Sequence, residues 1–170
     1  KREFKNKNFK IIAEDMPDTQ NPKIDFWINK LKKDAGEIDK ETYFIGHSIG
    51  SQTIMRFLEK LPTDKKIGGA VFVAGWFNLI GDSFESEEEK EIAEPWIKNK
   101  IDFQKIKNHT DKFLAIFSNN DTFVPVTDIG LFKKRLNAKT ILLKDKGHFD
   151  TISEFEDVLP EIIKFINNSK

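Results

Sequence analysis

The sequence predicts an α/β fold: a mostly parallel sheet covered by helices on both faces, as a three-layer sandwich. Short apolar runs alternate with segments whose apolar residues recur at helical spacing, which is typical of parallel sheets. The run at residues 70–74 is apolar at every position, as strands buried on both faces are. Parallel neighbours need crossover connections, which the helical segments supply. The length of 170 residues predicts a single domain over residues 1–170.

Five apolar runs are the predicted strands, at residues 11–13, 42–45, 70–74, 113–117 and 140–143. The first helix is marked by Asn21 as N-cap and Pro22 as its first residue, and it ends at Gly36. Its apolar stripe has the spacing i, i+3, i+4, i+7 and consists of Ile24, Trp27, Ile28 and Leu31.

Prolines bound the later helices. Pro62 stops the second helix, a third follows Pro125, and the last has Pro160 at its start. Residues 153–158 are therefore predicted to form a separate short turn of helix, with Ser153 and Glu156 at the spacing of a capping box.

The composition excludes several classes of protein. The 28 Lys and Arg residues balance 28 Asp and Glu residues, whereas nucleic-acid grooves and proteins of anionic membrane surfaces need excess positive charge. The lack of cysteine excludes disulfides, thiol catalysis and cysteine metal ligands. No stretch approaches the ~20 apolar residues of a membrane span, and residues 1–5 are not followed by the apolar segment of a signal peptide. We expect a cytoplasmic protein.

The motif Gly46-His47-Ser48-Ile49-Gly50 stands where a predicted strand gives way to a helix. A sharp turn there would hold Ser48 in a strained conformation and push its hydroxyl out of the sheet. We expect side chains at Gly46 or Gly50 to collide with the strand or the helix. The Ile49 N–H, at the helix start, is a candidate oxyanion-hole donor. In an open parallel sheet this carboxyl end of the strands is where ligands bind.

A serine nucleophile needs a base, and the sequence offers three histidines. His148 follows the last strand, at the same sheet edge as Ser48, and is the best base candidate. His47 adjoins Ser48 and is expected to form part of a pocket wall. His109 precedes a strand, at the opposite edge, and a surface role is expected for it.

The acid that orients the base should also follow a strand. Asp121 lies four residues beyond the strand at 113–117, in a polar turn. Asp145 and Asp150 flank the base candidate but are badly placed to grip its ring, and Asp128, in the next helix, is a weaker rival. Because aspartate also caps such turns readily, the composition of the turn alone does not settle its role.

Several motifs together resemble a known family. They are Asp15-Met16-Pro17-Asp18, Ile45-Gly46-His47-Ser48-Ile49-Gly50, Val73-Ala74-Gly75-Trp76, Asp102-Phe103-x-x-Ile106-Lys107, Ser118-Asn119-Asn120-Asp121-Thr122-Phe123-Val124-Pro125 and Gly147-His148-Phe149. In this order they resemble the small serine hydrolases of the α/β-hydrolase superfamily typified by retinoblastoma-binding protein nine and its bacterial relatives. The order Ser, Asp, His is also that of α/β-hydrolase triads.

The resemblance implies a compact α/β-hydrolase fold with Ser48 as nucleophile, Asp121 as acid and His148 as base. It implies esterase or peptidase-like activity on small ester or amide substrates, with no metal and no organic cofactor. Some members of the family are known through protein binding, so the alternative is a protein-interaction module with a vestigial site. Lyase or dehalogenase chemistry is less favoured, because dehalogenases have an acid where this elbow has Ser48.

The family pattern begins with a strand and a glycine-rich loop that supplies a second oxyanion N–H. No counterpart stands in the 170 residues, so we expect that N-terminal strand to be missing and a sheet edge to be exposed. Residues 75–110 are expected to form a small lid-like insertion, in which the acidic run 85–91 is a solvated helix face. The predicted substrate pocket is lined by His47, Trp76, Phe77, Trp96 and Phe149, with ordinary core packing as the alternative for the aromatic residues.

Overall fold

A four-stranded parallel sheet forms the centre of the computed structural model, which describes residues 9–81, 84 and 86–168. Its strands lie side by side in chain order. Tyr43 stands opposite Gly69, and Leu114 stands opposite Lys139. The predicted α/β fold is confirmed. The strands are β1 (Tyr43–His47), β2 (Gly69–Val73), β3 (Phe113–Ser118) and β4 (Lys139–Leu143).

Helices cover both faces of this sheet. The described helices are α1 (Ile24–Ala35), α2 (Ile49–Glu59), α3 (Glu87–Lys98), α4 (Phe103–Lys107), α5 (Asp128–Leu136), α6 (Ile152–Glu156) and α7 (Leu159–Asn167). Successive residues of a strand point to opposite faces, so Phe72 packs with residues of α1, α2 and α5, whereas Val71 packs with residues of α7. One apolar cluster lies on each face of the sheet, so the structure has three layers: helices, sheet and helices. No described helix is both long and apolar enough to cross a membrane.

The predicted strand at 11–13 is not formed. Ile11 rests against the apolar cluster beneath α7, but its segment pairs with no strand in the described part of the chain. A strand is stable only when its backbone N–H and C=O groups find partners. β1 is the edge of the described sheet, and its Ile45 is exposed.

Two helix starts differ from the sequence prediction. α1 begins at Ile24 with Lys23 at the N-cap position, not Asn21, although it ends at Gly36 as predicted. The capping box before α6 uses Thr151 and Glu154 instead of Ser153 and Glu156: the Glu154 N–H donates to Thr151 Oγ1, and the Thr151 N–H donates to the Glu154 carboxylate. The separate short helix ahead of α7 is confirmed.

Residues 75–110 contain α3 and α4, and buried contacts tie this segment to the body of the protein. The Arg56 guanidinium, on α2, donates to the carbonyls of Trp96 and Asn99 at 2.7 and 2.9 Å. The Trp96 indole donates to the Pro22 carbonyl at 2.9 Å. The division into one domain with a lid-like insertion stays a prediction.

Candidate active site

The turn between β1 and α2 has the strained geometry that its sequence predicts. Ser48, between the last residue of β1 and the first of α2, has φ 50° and ψ −120°, a region that L-residues with side chains avoid. Its N–H donates to the Val73 carbonyl of the neighbouring strand at 2.9 Å, which helps to hold the turn. The strain lies at the residue whose hydroxyl the turn presents, as is common at functional sites.

The two glycines of the motif have different roles. A Cβ atom at Gly46 would lie 2.7 Å from the carbonyl group of Gly50 and from the Ile54 side chain, so the expected collision is confirmed there. At Gly50 the expectation is wrong: in the part of the chain that the structure describes, a Cβ atom would meet no heavy atom within 4 Å other than its chain neighbours and the backbone of its own helix. The backbones of β1 and α2 come close at Gly46, so this turn requires glycine at the end of the strand but not at the start of the helix.

A hydrogen-bonded relay joins the three predicted residues. Ser48 Oγ lies 2.9 Å from His148 Nε2, and His148 Nδ1 lies 2.9 and 3.0 Å from the two carboxylate oxygens of Asp121. A carboxylate accepts, so Nδ1 carries the ring proton and Nε2 carries the lone pair that receives the serine hydroxyl. The side chains of His148 and Asp121 are only 9% and 3% exposed, which keeps competing water from the carboxylate–imidazole bond.

Backbone N–H groups fix the orientation of the Asp121 carboxylate. Its Oδ1 accepts from the N–H groups of Phe123 and Val124 at 2.8 and 2.9 Å, the pattern of a turn closed by an aspartate side chain. The capping role and the contact with the histidine therefore coexist, since one carboxylate has lone pairs for both.

A polar run after β3 holds the loop that carries the histidine. Asn120 Oδ1 accepts from the Gly147 N–H at 2.8 Å and from the Ser118 hydroxyl at 2.7 Å. Ser118 Oγ in turn accepts from the Lys146 N–H at 2.9 Å. Asn119 Oδ1 accepts from the N–H of the residue that precedes Lys146, at 2.7 Å. Sequence reasoning missed this function, although three adjacent polar side chains at a buried strand end are its signal.

His47 supports the same loop from β1. Its Nε2 lies 2.6 Å from the His148 carbonyl oxygen, and the two imidazole rings are 5.0 Å apart. A carbonyl oxygen only accepts, so the His47 Nε2 carries a proton. Burial lowers the pKa of His47 below its usual value, with the hydrogen bond to the His148 carbonyl opposing that shift. The neutral ring thus has its lone pair on Nδ1.

The remaining candidates lie as follows. Asp128 is fully buried and accepts from the N–H groups of Phe77 and Asn78 at 2.5 and 3.0 Å, so it anchors the loop after β2. Asp145 is exposed and lies 3.8 Å from the Lys144 ammonium. His109 is buried, not on the surface as expected, and its Nδ1 donates to the Lys65 carbonyl at 2.8 Å, a structural bond far from the relay.

The aromatic residues predicted to line a pocket are core residues, which corrects that prediction. Trp96 is 1% exposed and packs edge-on against Trp27 in the main apolar cluster. The apolar surface beside the relay belongs instead to Phe123, which is 40% exposed and whose ring centre lies 4.9 Å from that of His148. The pocket candidates that prove to be buried are Trp76, Phe77, Trp96 and Phe149.

The Ile49 N–H lies at the first position of α2, where backbone N–H groups have no acceptor within the helix. The positive end of the helix dipole adds to their attraction for negative charge. Its role as an oxyanion donor stays a prediction.

Two known proteins are similar to this chain in sequence. The putative hydrolase YdeN of Bacillus subtilis (strain 168) is 26% identical over 134 residues, which are 79% of this chain and 67% of YdeN. The serine hydrolase RBBP9 of Rattus norvegicus is 26% identical over 151 residues, which are 89% of this chain and 75% of RBBP9.

Solved structures agree on the fold. The crystal structure of the ydeN gene product from B. subtilis aligns with a TM-score of 0.72 at 23% identity, over 89% of this chain and 81% of that one. The carboxylesterase CesB (YbfK) from B. subtilis aligns with a TM-score of 0.55 at 15% identity, over 92% of this chain and 72% of that one. The model of the family described as "Serine hydrolase" matches residues 2–168. The chain belongs to the serine hydrolase family.

Proposed function

We propose that this protein hydrolyses small ester or amide substrates through an acyl-enzyme formed on Ser48. The observation that carries the proposal is the unbroken relay from the Ser48 hydroxyl through His148 to the Asp121 carboxylate. Both bonds are within hydrogen-bonding distance, which supports Ser48 as the nucleophile and His148 as its base.

The reaction runs in two halves. His148 Nε2 takes the Ser48 proton as Oγ attacks the substrate carbonyl, and Asp121 stabilises the imidazolium that forms. The tetrahedral oxyanion is stabilised by the Ile49 N–H at the start of α2. His148 then gives its proton to the leaving alcohol or amine, and a water activated by the same ring hydrolyses the acyl-enzyme.

Substrate size and polarity are set by the surface beside the relay. Phe123 presents an exposed aromatic face next to His148, which suits an apolar acyl or leaving group.

The test is covalent labelling with a fluorophosphonate probe, which reacts with activated serines. The protein should be labelled, and Ser48→Ala should lose the label while Ser153→Ala, at an exposed serine outside the relay, keeps it. Equal labelling of the Ser48→Ala protein would rule out this nucleophile. Hydrolysis of p-nitrophenyl esters of increasing acyl length then measures the substrate preference.

A further inference from the structure

A second carboxylate lies beside the ring of the base. One oxygen of Asp150 lies within 4.8 Å of a ring nitrogen of His148 and of a ring nitrogen of His47. Asp150 is exposed, whereas the side chain of Asp121, which bonds to the same base ring, is only 3% exposed. The rim of the relay therefore carries a negative charge that a substrate can reach.

No basic side chain neutralises that charge in the part of the chain that the structure describes, where neither a Lys nor an Arg forms an ion pair with Asp150. The Lys146 ammonium, on the same loop, pairs with Asp157 instead. The charge of Asp150 acts on its surroundings: burial, the largest effect, lowers the pKa of His47, and this charge opposes that shift. What the carboxylate lacks is a cation, which a substrate can supply.

We propose that Asp150 selects substrates whose leaving group carries a positive charge, namely esters of amino alcohols with a quaternary ammonium group. The inference rests on the proposed function, because it concerns the substrate of the same relay. A quaternary ammonium offers a charge to Asp150 and methyl groups to the exposed ring of Phe123, which also lies beside His148. Such cations are the ones that aromatic rings commonly bind.

The role of the base assigns the charge to the leaving group rather than to the acyl group. His148 protonates the leaving oxygen, which comes within hydrogen-bonding distance of Nε2 in that step. The leaving group therefore lies along the His148 ring, where Asp150 and Phe123 are also placed. The acyl group is bonded to Ser48 at that stage.

The spacing within such an ester fits this rim. Two carbon atoms separate the nitrogen from the leaving oxygen in an ester of choline, a span of about 3–4 Å with single bonds of ~1.5 Å. With the leaving oxygen about 3 Å from the base, the ammonium can contact a carboxylate that lies within 4.8 Å of the same ring. A neutral alkyl group of the same shape would occupy this place without the ionic contact.

The test compares acetylcholine with 3,3-dimethylbutyl acetate, which has the same shape with carbon in place of the nitrogen. Asp150→Asn should lower kcat/KM for acetylcholine relative to the neutral ester by about two- to five-fold, the range expected when an exposed ionic contact is lost. The ratio is compared between proteins, so the intrinsic reactivity of the two esters cancels. Titration of the released acetic acid at constant pH measures both rates.

The matched control is Asp145→Asn, at an exposed carboxylate of the same loop whose positive φ of 55° asparagine tolerates. It should keep the ratio of the parent. The ratio should also fall as NaCl is raised from about 0.01 M to about 1 M, because salt screens an exposed charge. A ratio that ignores salt, or one that Asp150→Asn changes no more than Asp145→Asn does, would overturn the proposal.

The two proposals fail separately. A protein that hydrolyses both esters at a ratio unaffected by Asp150→Asn keeps the proposed function and loses the recognition of the cation. A protein that carries no fluorophosphonate label and hydrolyses neither ester loses the proposed function. NMR titration of that unreactive protein then decides the second point: tighter binding of acetylcholine than of the neutral ester, weakened by Asp150→Asn, supports the cation site, and equal binding overturns it.

Discussion

The two glycines around Ser48 give a sharp test, because the motif treats them alike and the structure does not. The perturbation is one methyl group, added as Gly46→Ala or as Gly50→Ala. At Gly46 the new Cβ would lie 2.7 Å from two backbone atoms of Gly50 and 2.7 Å from Ile54 Cδ1. The Ile54 methyl could move aside, but the Gly50 carbonyl belongs to the first turn of α2 and cannot move without shifting the helix.

The magnitude follows from that clash. Overpacking of a tight site costs about 1–3 kcal/mol. For a chain of this length, 1 kcal/mol lowers Tm by about 2–4 °C, so Gly46→Ala should lose about 2–12 °C. The shift should also move Ser48 relative to His148, since the turn between the two glycines carries the serine.

Gly50→Ala should act in the opposite direction. In the described part of the molecule the methyl group meets nothing within 4 Å beyond its chain neighbours and the backbone of α2, and the residue is helical. Alanine in a helix is favoured over glycine by roughly 0.5–1 kcal/mol, which would raise Tm by about 1–4 °C.

Thermal unfolding followed by circular dichroism measures both variants against the parent. The reasoning would be refuted by a Gly46→Ala protein that melts with the parent, or by a Gly50→Ala protein that loses as much as Gly46→Ala. Either result would mean that the close backbone approach of β1 and α2 is not what selects glycine here.

Three further substitutions test the contacts around the site. Asp121→Asn should lower kcat by on the order of 10³–10⁴-fold at unchanged Tm, because an amide nitrogen cannot accept the His148 Nδ1 proton and the ring loses its tautomer. Asp128→Ala leaves two backbone N–H groups without their acceptor, and urea unfolding should show a loss of roughly 2–5 kcal/mol. Arg56→Met removes two hydrogen bonds to the end of α3, so limited proteolysis should cut residues 75–110 faster than in the parent.

Each of these has an outcome that contradicts it. An Asp121→Asn enzyme with normal kcat would show that the carboxylate only closes its own turn. For Asp128, the control is Asp128→Asn, whose amide oxygen can still accept, and it should recover part of the loss; an alanine variant as stable as the parent would mean that water replaces the carboxylate. Unchanged proteolysis of the Arg56→Met protein would assign the anchoring of α3 to Trp96 alone.

Much of the fold could be predicted because the signals are local. Continuous apolar runs identify β2 and β3, whose residues are buried on both faces. Gly36 and Pro160 mark helix boundaries that the structure keeps. The prediction of a strand at 11–13 is wrong because an apolar run indicates burial and not pairing. Ile11 is partly buried, but a strand also needs a neighbouring strand to pair with, and the sequence of the run itself does not show whether one is present.

The residues of the relay could be predicted from the sequence better than the residues that surround it. Ser48, Asp121 and His148 each follow a strand of one parallel sheet, so topology alone brings them to one edge. The position of an aromatic residue in the sequence does not show whether it lines a pocket or packs in the core. Trp96 would fit either place, and it is buried in the core. Nothing in the sequence separates it from Phe123, whose exposure depends on how the turn after β3 folds.

The supporting contacts explain why a small sheet can hold three distant side chains within hydrogen-bonding distance. The turn that carries Ser48 can form because Gly46 has no Cβ atom to collide with α2. The loop that carries His148 is held by hydrogen bonds to Ser118 and Asn120. These are bonds between side chains and backbone of adjacent strand ends, so they add no flexible element. The acid and the base are both held from the end of β3. The free energy that orients the relay therefore comes from the folding of these strand ends.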